Sequence, residues 1–368
     1  MKIPSRRPFV TVSLAFPAGQ RIFPTGFAAP FESVTRHQRG ADLRSLRGIR
    51  RSTTAVTMVP GLIDVDCNLW HRDLKSLQGK EVDKDEFWNI LNEDAIKEAN
   101  IVAMLSPSST INEARIGLER LDKSPPPIPI KTTVGVHPYH VNDEDLKGCN
   151  LDDHRQAMEC LVQQHKGFCG AIGECGLDAS EGFPPLEDQV PWFRLQVTLA
   201  NEFQLPIFVH ERLAFHQTIE ILESATTPVI IHCFTGTKEQ CIEYVNRDYF
   251  VSVSGYILKE TNDNYDEVIS CLRDDVIPLD RLMIETDAPY MGFPGCRELY
   301  LRHNEDFVSS INSKKRKRLQ QSIYPNVPSS LPAVLDKVVE CYRTFDPTLT
   351  AEKVAEMTTQ NAKNFFRL

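Results

Sequence analysis

No apolar run in this chain approaches the ~20 residues that a membrane-spanning helix needs, so no transmembrane segment is expected. Its ten cysteines include no CxxC pair, and several sit in apolar runs such as 168–170. That usage counts against a secreted disulfide framework and fits reduced, buried cysteines inside a cell. No glycine-rich dinucleotide turn follows any strand-like run, which removes the usual support for a doubly wound nucleotide-binding sheet. Internal repeats and low-complexity tracts are absent too.

Acids are nearly missing from the first 60 residues, which hold ten Lys/Arg against only Glu32 and Asp42. This balance of +8 leaves −17 for the rest of a chain whose net charge is −9. An Arg-rich, acid-poor leader with scattered Ser and Thr is the composition of an organellar transit peptide. The expectation is a disordered leader over 1–59 and one folded domain over 60–368. A transit peptide would direct the chain to a mitochondrion or plastid; otherwise the cytoplasm or nucleus is expected. A plain basic tail is the bland alternative. The apolar stretch 9–16 could be a short secretory core, but the cysteine usage argues against secretion. Met58 stands three residues before the first expected strand and would serve as an alternative start.

What remains is ordinary for a globular protein, with 41% hydrophobic and 25% charged residues. Eight strand-like runs recur at 61–65, 101–105, 131–136, 169–173, 206–209, 229–231, 250–254 and 281–284. Most are short and continuously apolar, as strands buried on both faces require. Helical spacing fills several gaps, as at 151–164, 238–246 and 186–204, where Trp192, Leu195, Leu199 and Phe203 recur. Eight strands alternating with helices predict a parallel α/β protein, an (β/α)8 TIM barrel of roughly 250 residues or more. Residues 291–330 break the pattern and are expected to form a long loop carrying the basic run 314–318. The tail from 331 reads as two helices split near Pro347.

Polar residues interrupt these runs at their carboxyl ends: Asp66 and Asn68, His137, Glu174, His210, His232 and Asp287. In a (β/α)8 barrel those ends meet on one rim, where active sites lie. Any one of these residues alone is more often a satisfied core or surface group; four at matching strand ends are not easily coincidence. Two histidines and two carboxylates suit a divalent metal, with imidazole favouring Zn and carboxylate favouring Mg or Mn.

The segments LIDVDCNL (62–69), TVGVHPY (133–139), AIGECGLD (171–178), LPIFVHER (205–212), IIHCFTG (230–236), LMIETDAPY (282–290) and TTQNAKNFF (358–366) resemble, in order, the TatD family of metal-dependent deoxyribonucleases. The resemblance covers nearly all of 61–368. It implies an amidohydrolase-like barrel, Glu174, His210, His232 and Asp287 as metal ligands, and DNA cleavage supported by Mg²⁺, with Mn²⁺ or Zn²⁺ as alternatives and one or two ions per subunit. Asp287 and Glu174 are the expected catalytic residues. His137, Arg212 and Asn68 are expected at the substrate. DNA is the expected partner, with no membrane and no protein partner implied.

Three departures stand out. Where many relatives carry His-x-His, this chain has Asp66 and Asn68; Asp66 could bind a second cation, stand behind the ligands or cap the strand. The usual GxHPH reads Gly135-Val136-His137-Pro138-Tyr139, and the usual Asn-Glu-Pro reads Asn326-Val327-Pro328. Ester or amide hydrolysis, as in an aminoacyl-tRNA deacylase, is a second reading on the same ligand set, and an inactive binding protein is a third. The acidic body is an awkward partner for a polyanion. Arg212 and the 314–318 run are its expected cationic contributors; the run also reads as a solvated loop or a nuclear-localisation signal.

Overall fold

The computed structural model describes residues 60–75, 77, 84–146 and 150–368, so the leader 1–59 lies outside the described residues. Eight parallel strands follow one another in sequence order around a single sheet. They are β1 (Leu62–Asp64), β2 (Ile101–Ser106), β3 (Ile130–Val134), β4 (Cys169–Asp178), β5 (Ile207–Arg212), β6 (Val229–Ile231), β7 (Phe250–Val253) and β8 (Leu282–Ile284). The sheet closes on itself. Val65 N–H donates to the Ile284 carbonyl (3.3 Å), Asp287 N–H to the Asp66 carbonyl (2.8 Å) and Asn68 N–H to the Ala288 carbonyl (2.7 Å).

The helices between the strands are α1 (Glu93–Glu98), α2 (Ile111–Lys123), α3 (Leu151–Gln164), α4 (Leu186–Phe203), α5 (Phe215–Leu222), α6 (Lys238–Val245) and α7 (Tyr265–Arg273). Local chemistry sets their starts. Asn150 with Asp153 and Thr237 with Gln240 form capping boxes on α3 and α6, each satisfying two backbone N–H groups that a helix start leaves open. Alternate strand residues explain the continuous apolar runs. Ile63, Val65, Phe208, Ile230 and Met283 fill the barrel interior, while neighbours such as Leu62, Val229 and Ile231 pack outward against the helices.

The two expected tail helices are α11 (Leu331–Tyr342) and α12 (Ala351–Phe366). Phe365 and Phe366 of α12 join the interior cluster, and Asn361 donates to the Leu279 and Leu282 carbonyls. The last helix therefore plugs the amino-terminal mouth of the barrel and leaves the opposite rim for chemistry.

Two expectations need correction. Strands β4 and β5 run on to Asp178 and Arg212, so Glu174 and His210 lie inside strands and not after them. The two strands pair with each other past the expected stop, with Gly176 opposite His210 and Asp178 opposite Arg212. The expected row of α4 faces the core, with Trp192 and Leu199 buried and Leu195 and Phe203 half-buried against it, and Gln189, Phe193, Gln196, Val197 and Ala200 widen that face. Gln196 turns inward because its amide exchanges hydrogen bonds with the Val136 backbone (2.8 and 3.0 Å).

Second, 291–330 is not a loop. It carries α8 (Glu298–Arg302), α9 (Glu305–Ser310) and α10 (Ser313–Gln321), the last spanning the basic run. Lys, Arg, Leu and Gln are good helix formers, and Asn312 caps α10 by accepting from Lys315 N–H at 2.8 Å. The buried Arg297 ties the excursion together by donating to the carbonyls of Leu319, Ser322 and Pro325.

Candidate metal centre

The Gly173-Glu174-Cys175-Gly176 stretch of β4 brings Glu174 against β5. A Cβ at Gly176 would fall 1.8 Å from the His210 carbonyl oxygen, and one at Gly173 would fall 2.4 Å from that of Phe208. Both glycines have positive φ, +143° and +146°, a backbone that side chains disfavour. The close approach lets Glu174 Oε1 reach three imidazoles: His232 Nε2 at 2.7 Å, His210 Nδ1 at 3.2 Å and His137 Nε2 at 3.4 Å. Burial works to raise the Glu174 carboxyl, but His232 and His137 beside it, with His210, hold it well below the usual carboxylate range.

Each of the two expected histidine ligands has carboxylates behind it. His210 Nε2 lies 2.7 Å from Asp178 Oδ2, leaving Nδ1 to face Glu174. Burial would lower His210, but the Asp178 and Glu174 contacts raise it above its usual value. His232 Nδ1 lies 3.0 Å from Asp66 Oδ2 and 3.5 Å from Glu285 Oε1, while Nε2 faces Glu174. Burial again opposes, and Glu174, Asp66 and Glu285 overcome it, so His232 stands well above its ordinary value. Phe208 stacks under the His232 ring at 4.8 Å. A carboxylate behind a metal-binding imidazole fixes its ring and raises its basicity.

Asp287 sits where β8 meets β1. Its backbone is left-handed (φ 50°), and its N–H is held by the Asp66 carbonyl. Burial, with Glu285 and Glu174 adding to it and His232 opposing, pushes its carboxyl up to about 7. Asn68, expected at the substrate, is buried and bridges two carboxylates. Its amide donates to Asp66 Oδ1 (3.1 Å) and reaches Asp287 Oδ1 at 3.5 Å. Asp66 is fully buried, with one oxygen toward Asn68 and the other toward His232.

His137 is different in kind. Its Nδ1 accepts from Tyr139 N–H at 3.1 Å, so the ring hydrogen sits on Nε2, beside Glu174. Burial, with the Glu174 carboxylate opposing it, lowers the ring to about 3 and keeps it neutral. A neutral imidazole with Nε2–H is a donor to an anion; it has no free lone pair for a metal. Arg212 ends β5 opposite Asp178, and its charge acts on the Cys233 thiol and the Tyr256 hydroxyl.

Two clusters have ligand atoms all within 4.8 Å of one another: His137, Glu174 and His210, and Asp66, His232 and Glu285. Glu174, His210 and His232 therefore meet as expected, whereas Asp287 joins neither cluster and connects through Asn68. The donor set fits a divalent cation. His232 Nε2, 2.7 Å from Glu174 Oε1 on the rim side, is buried without a hydrogen-bond partner, as are Nδ1, Asp66 Oδ2 and Glu285 Oε1 behind it. Unpaired buried polar atoms of this density are costly, and a cation among them would satisfy the field of several carboxylates at once.

Asp178, Glu285, Asp64 and Asn326 are four further polar residues of the site that the motif pattern does not single out. Asp64, fully buried in β1, accepts from Thr286 N–H and Oγ1 (2.9 and 2.6 Å). Asn326 donates its side-chain amide to the Thr286 carbonyl and its backbone N–H to Pro289. The available signal was a carboxylate or amide flanked by apolar residues that must be buried and therefore partnered.

The family model of TatD related DNase matches residues 63–367. The chain belongs to the TatD-related DNase family. It is thus a hydrolase of phosphodiester bonds, on an eight-stranded parallel barrel whose rim carries groups able to hold a divalent metal. It is similar to the 3'-5' ssDNA/RNA exonuclease TatD of Rahnella sp., 29% identical over 298 residues that cover 80% of this chain and 96% of that one. In fold it is similar to a TatD family hydrolase from Entamoeba histolytica (TM-score 0.65, 22% identity, 84% of this chain and 99% of that one). An uncharacterized amidohydrolase from Saccharomyces cerevisiae shares the fold as well (TM-score 0.62, 18% identity, 83% and 100%). The departure at Asn326-Val327-Pro328 is local: Val327 is buried against Tyr300 and Leu77, an apolar contact where the resemblance led to the expectation of a Glu.

Proposed function

We propose that this chain is a Mg²⁺-supported exonuclease that hydrolyses the phosphodiester bonds of DNA from a strand end, using the rim around Glu174. The observation that carries the reading is one carboxylate oxygen within 3.4 Å of three imidazoles, two of them with carboxylates behind. Glu174, His210 and His232 would hold the cation, with Asp287 completing the set from β8. When bound, the metal supplies Lewis acidity to a phosphate oxygen and lowers the pKa of a bound water.

The chain's own residues do the rest. Asp287, fixed by its N–H to Asp66, is positioned to take the proton of the attacking water. His137 Nε2–H would donate to the anion, and the Arg212 guanidinium at the end of β5 would add positive charge beside it. Asp178, Asp66 and Glu285 hold the imidazoles, so Asp66 acts behind His232. Asn68 keeps Asp66 and Asp287 apart.

The test is a 5'-labelled single-stranded DNA incubated with the full chain, with chelator and then with Mg²⁺, Mn²⁺ or Zn²⁺. A ladder of shortened products that needs Mg²⁺ is expected. Turnover of an aminoacyl ester with intact DNA would overturn the reading.

The +8 leader supports a second proposal, that residues 1–59 direct the chain to a mitochondrion or plastid.

A further inference from the structure

The rim next to Asp287 carries an appendage that the chemistry does not use. The chain leaves the rim at Met291, runs through α8, α9 and α10, and returns at 323–326, where Asn326 rejoins Pro289 and Thr286. The return is close: a Cβ at Gly292 would fall 1.8 Å from the Ile323 carbonyl oxygen. On α10, Lys314, Lys315, Arg316, Lys317 and Arg318 are all exposed. Among the described residues, none forms an ion pair with an acid, although the chain holds 50 acids. Arg316 donates to the Val308 carbonyl at 3.1 Å and Lys315 lies over the Phe307 ring, and both contacts leave the charge unneutralised.

Between α10 and the metal centre stand two half-exposed tyrosines. Tyr324 follows the helix by three residues, and Tyr290 follows Asp287 by three. Their ring centroids are 6.3 Å apart, and they are 42% and 45% exposed. Each hydroxyl is anchored, Tyr324 to Asp73 Oδ2 (2.6 Å) and Tyr290 to His71 Nε2 (3.2 Å). The rings are held at one edge while much of their surface stays open. A row of free cations joined to held aromatic rings is how proteins grip single strands, with phosphates on the charges and unstacked bases on the rings.

We propose that α10 with Tyr324 and Tyr290 forms a track for the body of a single-stranded polynucleotide whose end lies at the metal centre. The inference rests on the nuclease reading above. It gives the acidic protein the local positive charge that its substrate requires. A transport receptor for a linear basic signal needs that segment extended. Here it is helical, capped by Asn312 and latched by Arg297 to its last carbonyls.

The test is fluorescence anisotropy of a labelled 20-nucleotide single strand with the full chain in chelator, across a salt series. The quadruple variant Lys314→Gln, Lys315→Gln, Lys317→Gln, Arg318→Gln keeps helix propensity and Arg316. Its log Kd against log salt should be shallower than wild type by roughly 3, about 0.7 per charge lost. Tyr324→Leu should weaken binding about tenfold with the slope unchanged, and Tyr324→Phe should keep most of the affinity. Affinity and slope unchanged in the quadruple variant overturn the track, as does unchanged affinity with lost nuclear accumulation, which would assign the run to transport. Mg²⁺-dependent cleavage of the same strand by wild type is measured alongside. If it is absent, the nuclease reading falls; if it is present beside an unshifted variant, only the track falls.

Discussion

At the residue scale, the centre is built from pairs in which a buried carboxylate sits behind an imidazole. This arrangement separates ligand loss from ligand loosening. His232→Ala and Asp287→Asn should each abolish cleavage. Circular dichroism should stay at wild type, since rim groups contribute little to the barrel interior. Wild-type activity in either would overturn the site. Asp66→Asn and Asp178→Asn act one step back. Each should raise the Mg²⁺ concentration for half-maximal rate by about tenfold or more, with a smaller effect at saturating metal. An unchanged metal titration would reduce Asp66 to a strand-end cap.

At the element scale, the junction of β4 and β5 and the excursion after β8 are the two devices that position the site. Gly176→Ala places a methyl 1.8 Å from a carbonyl oxygen at φ +143°. With no flexible side chain to yield, the strands must part. Thermal unfolding should show a loss of about 3 kcal/mol or more, in the range of overpacked and strained sites, and metal affinity should fall with it. A melting curve matching wild type would mean that the register of β4 on β5 is not set by that glycine. Arg297→Ala removes the guanidinium that closes the carbonyls of Leu319, Ser322 and Pro325. Limited proteolysis should then cut within 298–325 while the barrel stays intact. Resistance equal to wild type would show that the helices hold without the latch.

At the scale of the whole molecule, charge is divided unequally, +8 on the leader and −17 on the rest. The first strand begins at Leu62 and the family match at residue 63, so a chain starting at Met58 should be soluble and as active as the full one. It should also lose any organellar import that the leader confers on a reporter. Unfolding or inactivity of that shorter chain would place residues 1–57 within the domain and end the transit-peptide proposal.

The sequence alone determined the eight-stranded barrel, because strands buried on both faces must be continuously apolar and the gaps between them carried helical spacing. It also determined which polar residues reach the rim, since Glu174, His210, His232 and Asp287 interrupt those runs where a barrel converges. The tertiary structure alone decided which of them meet. Glu174 touches three imidazoles because β4 and β5 go on pairing past 173 and 209, where the apolar runs stop. Asn68 faces carboxylates because closing β8 on β1 buries Asp66 beside Asp287, and two buried carboxylates need a donor. Asp178 and Glu285 lie in the GECGLD and ETDAP segments, but their role behind histidines depends on which strand each one faces. The run 314–318 was expected in a loop and is helical in the structure, because good helix formers there are also held in place by a tertiary contact. That depends on a buried arginine about twenty residues upstream whose carbonyl partners exist only once the excursion has folded back onto the rim.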